Sequence, residues 1–202
     1  MTTTYQPSPS EIKALRDKVQ APMMDCRNAL IEANGDTEQA QRLLLERGQA
    51  QAAKKAERTA DEGLVASYIH PGGKIGVLVE LNSETDFVAR SEKFVTLARD
   101  IAMHVAAMSP LYIDRESVPA DVLTAKRDEF AEDVPADKKP EIAQRIVDGK
   151  LRRWYEEHCL VDQPFVKDDT LTVGELIAGA VGILGERIVI RRFARFALGD
   201  SQ

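Results

Sequence analysis

Apolar residues in this chain keep two different rhythms, and the places where the rhythm changes constrain its fold most strongly. From Ile12 to Leu44, and again from Phe94 to Met108, they recur at three- and four-residue steps. That spacing lines one face of a helix. Residues 64–70 and 75–81 instead form short apolar runs on either side of Pro71-Gly72-Gly73-Lys74, a turn composition between two strands of a hairpin. A further run, residues 187–198, returns near the end of the chain. Long helical blocks with few strands, and no alternating strand–helix units, predict an α+β protein: a small antiparallel sheet packed with helices.

The N-terminal rhythm divides into three helices. Ser8 can cap the first, Pro9 suits its first helical position and Glu11 completes a capping box. Ile12, Leu15 and Val19 then share a face. Ala21-Pro22 separates a second helix with Met23, Cys26, Leu30 and Ala33 as its buried stripe and Asn34-Gly35 at its end. Asp36 and Gln39 restart a third, with Ala40, Leu43 and Leu44 inward and Gly48 closing it. Met24 lies about 100° around the helix from Met23. It is either a partly covered flank of the bundle or an exposed, adaptable contact for another protein. Residues 49–60 are rich in Ala, with Lys54, Lys55, Glu57 and Arg58, and favour a helix with little to bury. They read as a linker helix between a three-helix domain, residues 1–48, and a core, residues 61–202.

Within that core a helix is expected over 91–109, with Phe94, Leu97, Ile101, Val105 and Met108 inward. Two charged helices follow, about 119–132 and 139–160, separated by a turn from Pro135 to Pro140. They read as a protruding pair with Trp154, Tyr155 and Phe165 at its base. Residues 172–184 form another helix, whose Gly174, Gly179 and Gly182 would allow close approach to the sheet. In the last strand Arg191 and Arg192 break the alternation, which suggests a bulge. With Arg187 and Arg195 they read as a solvated sheet face rather than a nucleic-acid stripe.

Several function classes are disfavoured. The net charge of −6 and pI near 5.2, with no basic arm in any segment, argue against nucleic-acid binding. No run of 18 apolar residues is present, so no membrane span is expected. Met1 to Ser10 has neither an apolar signal core nor an Arg-rich amphipathic stretch, and the expected location is the cytoplasm. Cys26 and Cys159 are too few and too distant for a disulfide scaffold or a zinc site, and read as buried, reduced thiols. His70, His104 and His158 have no metal-ligand spacing. The Gly72-Gly73 turn lacks the Gly-x4-Gly-Lys-Ser/Thr spacing of a phosphate loop. No cofactor is expected. Neither a His-Asp-Ser set nor a paired-acid motif is present, so an enzyme is not expected.

The most informative segment is Glu80-Leu81-Asn82-Ser83-Glu84-Thr85-Asp86-Phe87-Val88-Ala89-Arg90. By pattern it is a strand end followed by a loop. On chemistry alone, Thr85, Asp86 or Ser91 would cap the coming helix and Phe87 would tuck into the core, or Phe87 would stand out beside Asp86 for a partner. All eleven residues resemble a signature of the bacterial elongation factor Ts family. So do Leu15-Arg16, Met23 to Leu30 and Ala33-Asn34-Gly35-Asp36 at the N-terminus. Further likeness runs through Gln163 to Asp168, Thr172 to Leu176, Gly185 to Val189, and Arg192-Phe193. The chain departs from the family at Val19-Gln20-Ala21-Pro22, where Pro22 still suits a helix start.

The resemblance implies a ubiquitin-associated-like fold for the N-terminal bundle and nucleotide exchange on the translational GTPase elongation factor Tu. It implies that Phe87 wedges between helices of the GTPase near its magnesium site, with Asp86 hydrogen-bonding beside it and Thr85 and Val88 fixing the loop. Met23, Met24 and Leu15 are the candidates for a second grip on the same GTPase. Many family members carry two copies of the sheet-and-helix unit. One hairpin and one C-terminal strand give a single copy here, so a homodimer is expected, the second chain standing in for the missing unit and covering the sheet's open edge. The alternative is an adaptor that binds another protein through residues 8–48.

Overall fold

The structure is a computed structural model of the chain, and it describes residues 5–19, 21–135 and 137–200. Gln20 of the departure noted above, Ala136 of the expected inter-helix turn, and residues 1–4 of the N-terminal stretch lie outside the described residues. Eight α-helices and five strands follow one another among them, with a short 3-10 helix, Leu160–Asp162, after the seventh: α1 (Pro9–Val19), α2 (Met23–Glu32), α3 (Thr37–Lys55), β1 (Glu62–Ile69), β2 (Ile75–Ser83), α4 (Asp86–Ala89), α5 (Glu92–Met108), α6 (Ala120–Glu132), α7 (Pro140–His158), β3 (Pro164–Phe165), β4 (Asp168–Thr172), α8 (Val173–Leu184) and β5 (Val189–Ala197). The main sheet is antiparallel, in the order β1-β2-β5, and β3 pairs antiparallel with β4. This is the expected α+β class. The short β3–β4 pair was not expected, because two residues are too few to carry a period.

The chain divides into two compact units. The first holds residues 1–66, 79–99 and 175–191. Its N-terminus forms the capping box: Glu11 accepts the Ser8 N–H at 2.7 Å and the Ser8 hydroxyl at 2.6 Å, and the Glu11 N–H donates to Ser8 Oγ at 3.3 Å. The Ser8 hydroxyl, the Tyr5 hydroxyl and the Ser8 N–H hold the Glu11 carboxyl down to about 2. Ile12, Leu15, Cys26, Ala29, Leu30, Ala33 and Ala40 form the core of the bundle. Of the expected α2 stripe, Cys26, Leu30 and Ala33 are buried and Ala29 joins them, whereas Met23, the first residue of the helix, is 50% exposed.

Gly48 does not end the third helix, and the expected linker helix is the continuation of α3. A glycine with a helix on both sides is tolerated where another backbone comes close. Here a Cβ at Gly48 would lie 2.9 Å from the Ala178 carbonyl oxygen, and one at Gly182 would lie 3.3 Å from Gly48 Cα. Gly179 and Gly182 of α8 therefore lie at the close approach to α3, whereas a Cβ at Gly174 would meet the Val161 carbonyl; these contacts are not with the main sheet.

The second unit holds residues 67–78, 100–174 and 192–202. Val118, Leu151, Trp154, Tyr155 and Cys159 form a cluster flanked by Tyr112, Val122, Leu123 and Phe130. Arg115 lies 4.9 Å over the Tyr155 ring and pairs with Asp162. Of the helical pair, α6 buries no residue fully and is tied to α7 by Lys150–Asp133 at 2.7 Å. On α5, Phe94, Leu97, Ile101 and Val105 are buried as expected, whereas Met108 in its last turn is exposed. Arg191 and Arg192 are both exposed on β5. Arg187 precedes β5 and is half-buried, and Arg195 pairs with Asp200 at 3.2 Å. Those two are not on a solvated sheet face.

A buried polar network centres on His104. Its Nδ1 accepts the Val166 N–H at 3.2 Å, which leaves the proton on Nε2, and Nε2 donates to Gln163 Oε1 at 3.0 Å. Gln163 Nε2 in turn donates to the Glu157 carbonyl at 2.8 Å. Burial holds the His104 pKa below its ordinary 6.5, against the raising effect of Gln163. A second proton would set an N–H against the Val166 N–H. The unfolded chain therefore binds this proton more readily, and stability is lost as pH falls below the unfolded value. Unfolding free energy should decline on acidification below 6.5, with this residue contributing at most about 1.4 kcal/mol per pH unit. His104→Phe should flatten that slope while lowering the plateau, as read by urea denaturation over roughly pH 5 to 7.5.

Candidate functional site

The Glu80–Arg90 segment forms the end of β2 and the four-residue turn α4. Thr85 is its N-cap, with φ −130° and ψ 153°, and its hydroxyl oxygen accepts the Val88 N–H at 3.3 Å. This is the local preference of a threonine before a helical turn. Within α4, Val88 and Ala89 are buried, at 7% and 5% exposure. Successive helical positions differ by about 100°, so burying those two turns Asp86, Phe87 and Arg90 outward. Phe87 is 84% exposed. The reading in which it enters the core is overturned. Asp86 pairs with Arg90 at 2.9 Å on the exposed surface, a contact of the weak class.

A network fixes this turn from below. Glu186 accepts the Thr85 N–H at 3.0 Å and the Thr85 hydroxyl at 2.7 Å. Glu84 accepts the Arg187 N–H at 2.7 Å and the Arg58 guanidinium at 3.3 Å. The Ser83 hydroxyl donates to the Thr85 carbonyl at 2.9 Å. Arg187 also donates to the Arg58 carbonyl, and Lys55 donates to the Gly185 carbonyl at 2.6 Å. The Arg187 N–H above all, then the Arg58 hydrogen bond and the charges of Arg58 and Lys55, hold the Glu84 carboxyl below the usual carboxylate range, against its partial desolvation.

Of the N-terminal candidates, Met23 and Met24 are exposed at 50% and 59% on α2. Leu15 is 1% exposed, inside the bundle core with Cys26 and Leu30, so it presents no surface to a partner. Thr85 to Val88 form one continuous turn, in the same compact unit as the bundle. Glu84, Glu186 and Arg58 have no assigned role in the sequence reading. Glu186 sits 101 positions from Thr85, so no local pattern connects them, although Gly185-Glu186-Arg187 stands out as a motif.

Elsewhere, both cysteines are free and buried. Burial, chiefly, raises the Cys26 thiol and pushes Cys159 up to about 11, so neither is a ready nucleophile. Among the described residues, no three His, Cys, Asp or Glu side chains group as a metal set, and no helix is long and apolar enough to cross a membrane.

A family model described as "Elongation factor TS" matches residues 32–200. The chain is 51% identical over 194 residues to elongation factor Ts of Koribacter versatilis (strain Ellin345), covering 96% of this chain and 89% of that protein. It is 54% identical over 192 residues to elongation factor Ts of Anaeromyxobacter sp. (strain Fw109-5), covering 94% and 87%. With elongation factor Ts of Solidesulfovibrio magneticus the identity is 49% over 195 residues, covering 96% and 98%.

An outward Phe87 makes a direct statement about stability. Phe87→Ala should change unfolding free energy by no more than about 0.5 kcal/mol, the range of exposed substitutions. A buried phenylalanine would cost about 3–5 kcal/mol. Denaturant titration of the two proteins decides between them.

Proposed function

The chain belongs to the elongation factor Ts family of translation elongation factors, and on that premise we propose that it is a guanine-nucleotide exchange factor in the cytoplasm. It binds elongation factor Tu in its GDP form, speeds release of GDP and leaves the nucleotide-free GTPase open to GTP. The reading is carried by Phe87: a large apolar side chain, 84% exposed, on a turn whose cap and neighbours are held by hydrogen bonds and burial. An aromatic kept in water on a fixed support gains only when a partner covers it.

The mechanism is linkage and makes or breaks no covalent bond. A partner that binds the empty GTPase more tightly than its GDP form must weaken GDP by the same factor, about 1.4 kcal/mol for each tenfold. Phe87 enters between helices of the GTPase near its magnesium site, and Asp86 exchanges its weak pairing with Arg90 for a hydrogen bond to the partner. Thr85 and Val88 hold the turn in place. Once the partner's magnesium loses its geometry, the GDP phosphates lose their strongest local countercharge. Met23 and Met24 supply an adaptable apolar contact for a second grip, while Leu15 stays within the bundle core. No nucleic acid and no membrane takes part.

We also propose that two chains pair. Ile69, Leu78, Phe196 and Leu198 are exposed at 65%, 48%, 59% and 80%, and all four line one groove in the second unit. A three-stranded sheet with β1 and β5 at its edges leaves such a surface open, and a second copy of the chain covers it.

Two measurements test these readings. Phe87→Ala should slow stimulated release of labelled GDP from elongation factor Tu by about tenfold or more, from the loss of about 1.5–3 kcal/mol of apolar insertion. An unchanged stopped-flow rate would reject that role. Light scattering at micromolar concentration should give twice the 22.4 kDa chain mass, and a single-chain mass that does not vary with concentration would reject the dimer.

A further inference from the structure

The support beneath Phe87 is a pair of crossed carboxylate contacts between two segments far apart in sequence. Residue 186 reaches back to residue 85, and residue 84 reaches across to residue 187. Both oxygens of Glu186 are used, one on the Thr85 hydroxyl and one on the Thr85 N–H, at 2.7 and 3.0 Å. Because the hydroxyl donates its proton to Glu186, its oxygen is free to accept the Val88 N–H. The rotamer that caps α4 is thus set from outside α4. Gly185, at φ +73°, supplies the left-handed turn that ends α8 and directs Glu186 toward Thr85, and Lys55 holds the carbonyl of that glycine.

We infer that Glu186, with Glu84 as its counterpart, is a positioning residue for the Asp86–Phe87 turn. The inference rests on the exchange reading above. The chemistry asks for a carboxylate: it is acceptor-only at both oxygens, so the Thr85 hydroxyl must donate to it and keeps its own oxygen for the Val88 N–H, whereas an amide can donate its NH2 to that oxygen and compete with the Val88 N–H. An ionised acceptor also makes the stronger bond. The work of Glu186 is to hold Phe87 ready, so that binding does not have to order the turn.

The test is a double-mutant cycle in the full-length protein, read by stopped-flow release of labelled GDP from elongation factor Tu across a range of exchange-factor concentrations. Glu186→Gln should lower the maximal stimulated rate by about tenfold, the loss expected of a hydrogen bond to a charged group. In a Phe87→Ala background the same substitution should change the rate by less than about twofold, because Glu186 acts through Phe87. Thr85→Val, which removes the hydroxyl from the other side of the bond, should reproduce the Glu186→Gln deficit and not add to it. Amide hydrogen exchange at Val88 should accelerate in both variants while the global unfolding midpoint holds.

Three results overturn the inference: an unimpaired Glu186→Gln, deficits of Glu186 and Phe87 variants that multiply, or Val88 exchange that does not change. If the wild-type protein fails to speed release, or Phe87→Ala matches it, the exchange reading itself falls and takes this inference with it. Wild-type activity with a deficient Phe87→Ala and a normal Glu186→Gln removes the inference alone.

Discussion

The backbone contact between α3 and α8 at Gly48 and Gly182 is the constraint from which the rest of the first unit follows. Side chains normally keep helix axes about 8–10 Å apart. Glycine facing glycine removes that limit, and α3 continues past Gly48 along α8. Seven residues further on, Lys55 reaches the Gly185 carbonyl, and Arg58, just past the helix end, reaches Glu84. The segments around 84 and 186 are thereby brought within hydrogen-bond distance. A methyl group at Gly48 would press on the Ala178 carbonyl, so a fault there would propagate to the turn that carries Phe87 without touching it.

Much of the fold is legible in the sequence because its signals are local. Ser8 and Glu11 sit three apart and form the capping box they predict. Pro71-Gly72-Gly73-Lys74 lies between β1 and β2, and the spacing from Phe94 to Val105 gives the buried face of α5. The misread features depend on what lies across the chain. Gly48 looks like a helix end when only its neighbours are considered, and becomes an interior position once α8 is present. Met23 carries the right residue type and spacing for the core, but it is the first residue of α2 and remains half-exposed while Cys26, Leu30 and Ala33 of the same stripe are buried.

Phe87 illustrates the boundary between the two kinds of information. Hydrophobicity alone sends it inward, and its exposure is set by Val88 and Ala89, whose burial uses up the inward side of a four-residue turn. Glu186 lies further beyond local reading, since its partner is 101 positions away. The second unit follows the same division. Trp154 and Tyr155 are legible as a helix anchor, whereas the chain from Val166 through His104 and Gln163 to Glu157 needs three separate segments in place. Networks of that kind fix one arrangement of a core, because each member left unpaired is costly.

The two adjacent exposed arginines of β5 have a consequence during synthesis and assembly. β5 is an edge of the main sheet, and a flat apolar edge is a template for adding strands from other molecules without limit. Two consecutive outward arginines, Arg191 and Arg192, interrupt any such continuous template, since an incoming strand would have to bring its backbone past both charges. The apolar residues Phe196 and Leu198 lie beyond that interruption. The charged step therefore acts as a gatekeeper: it leaves a finite apolar patch near the strand's end while blocking the open-ended stacking that leads to fibres.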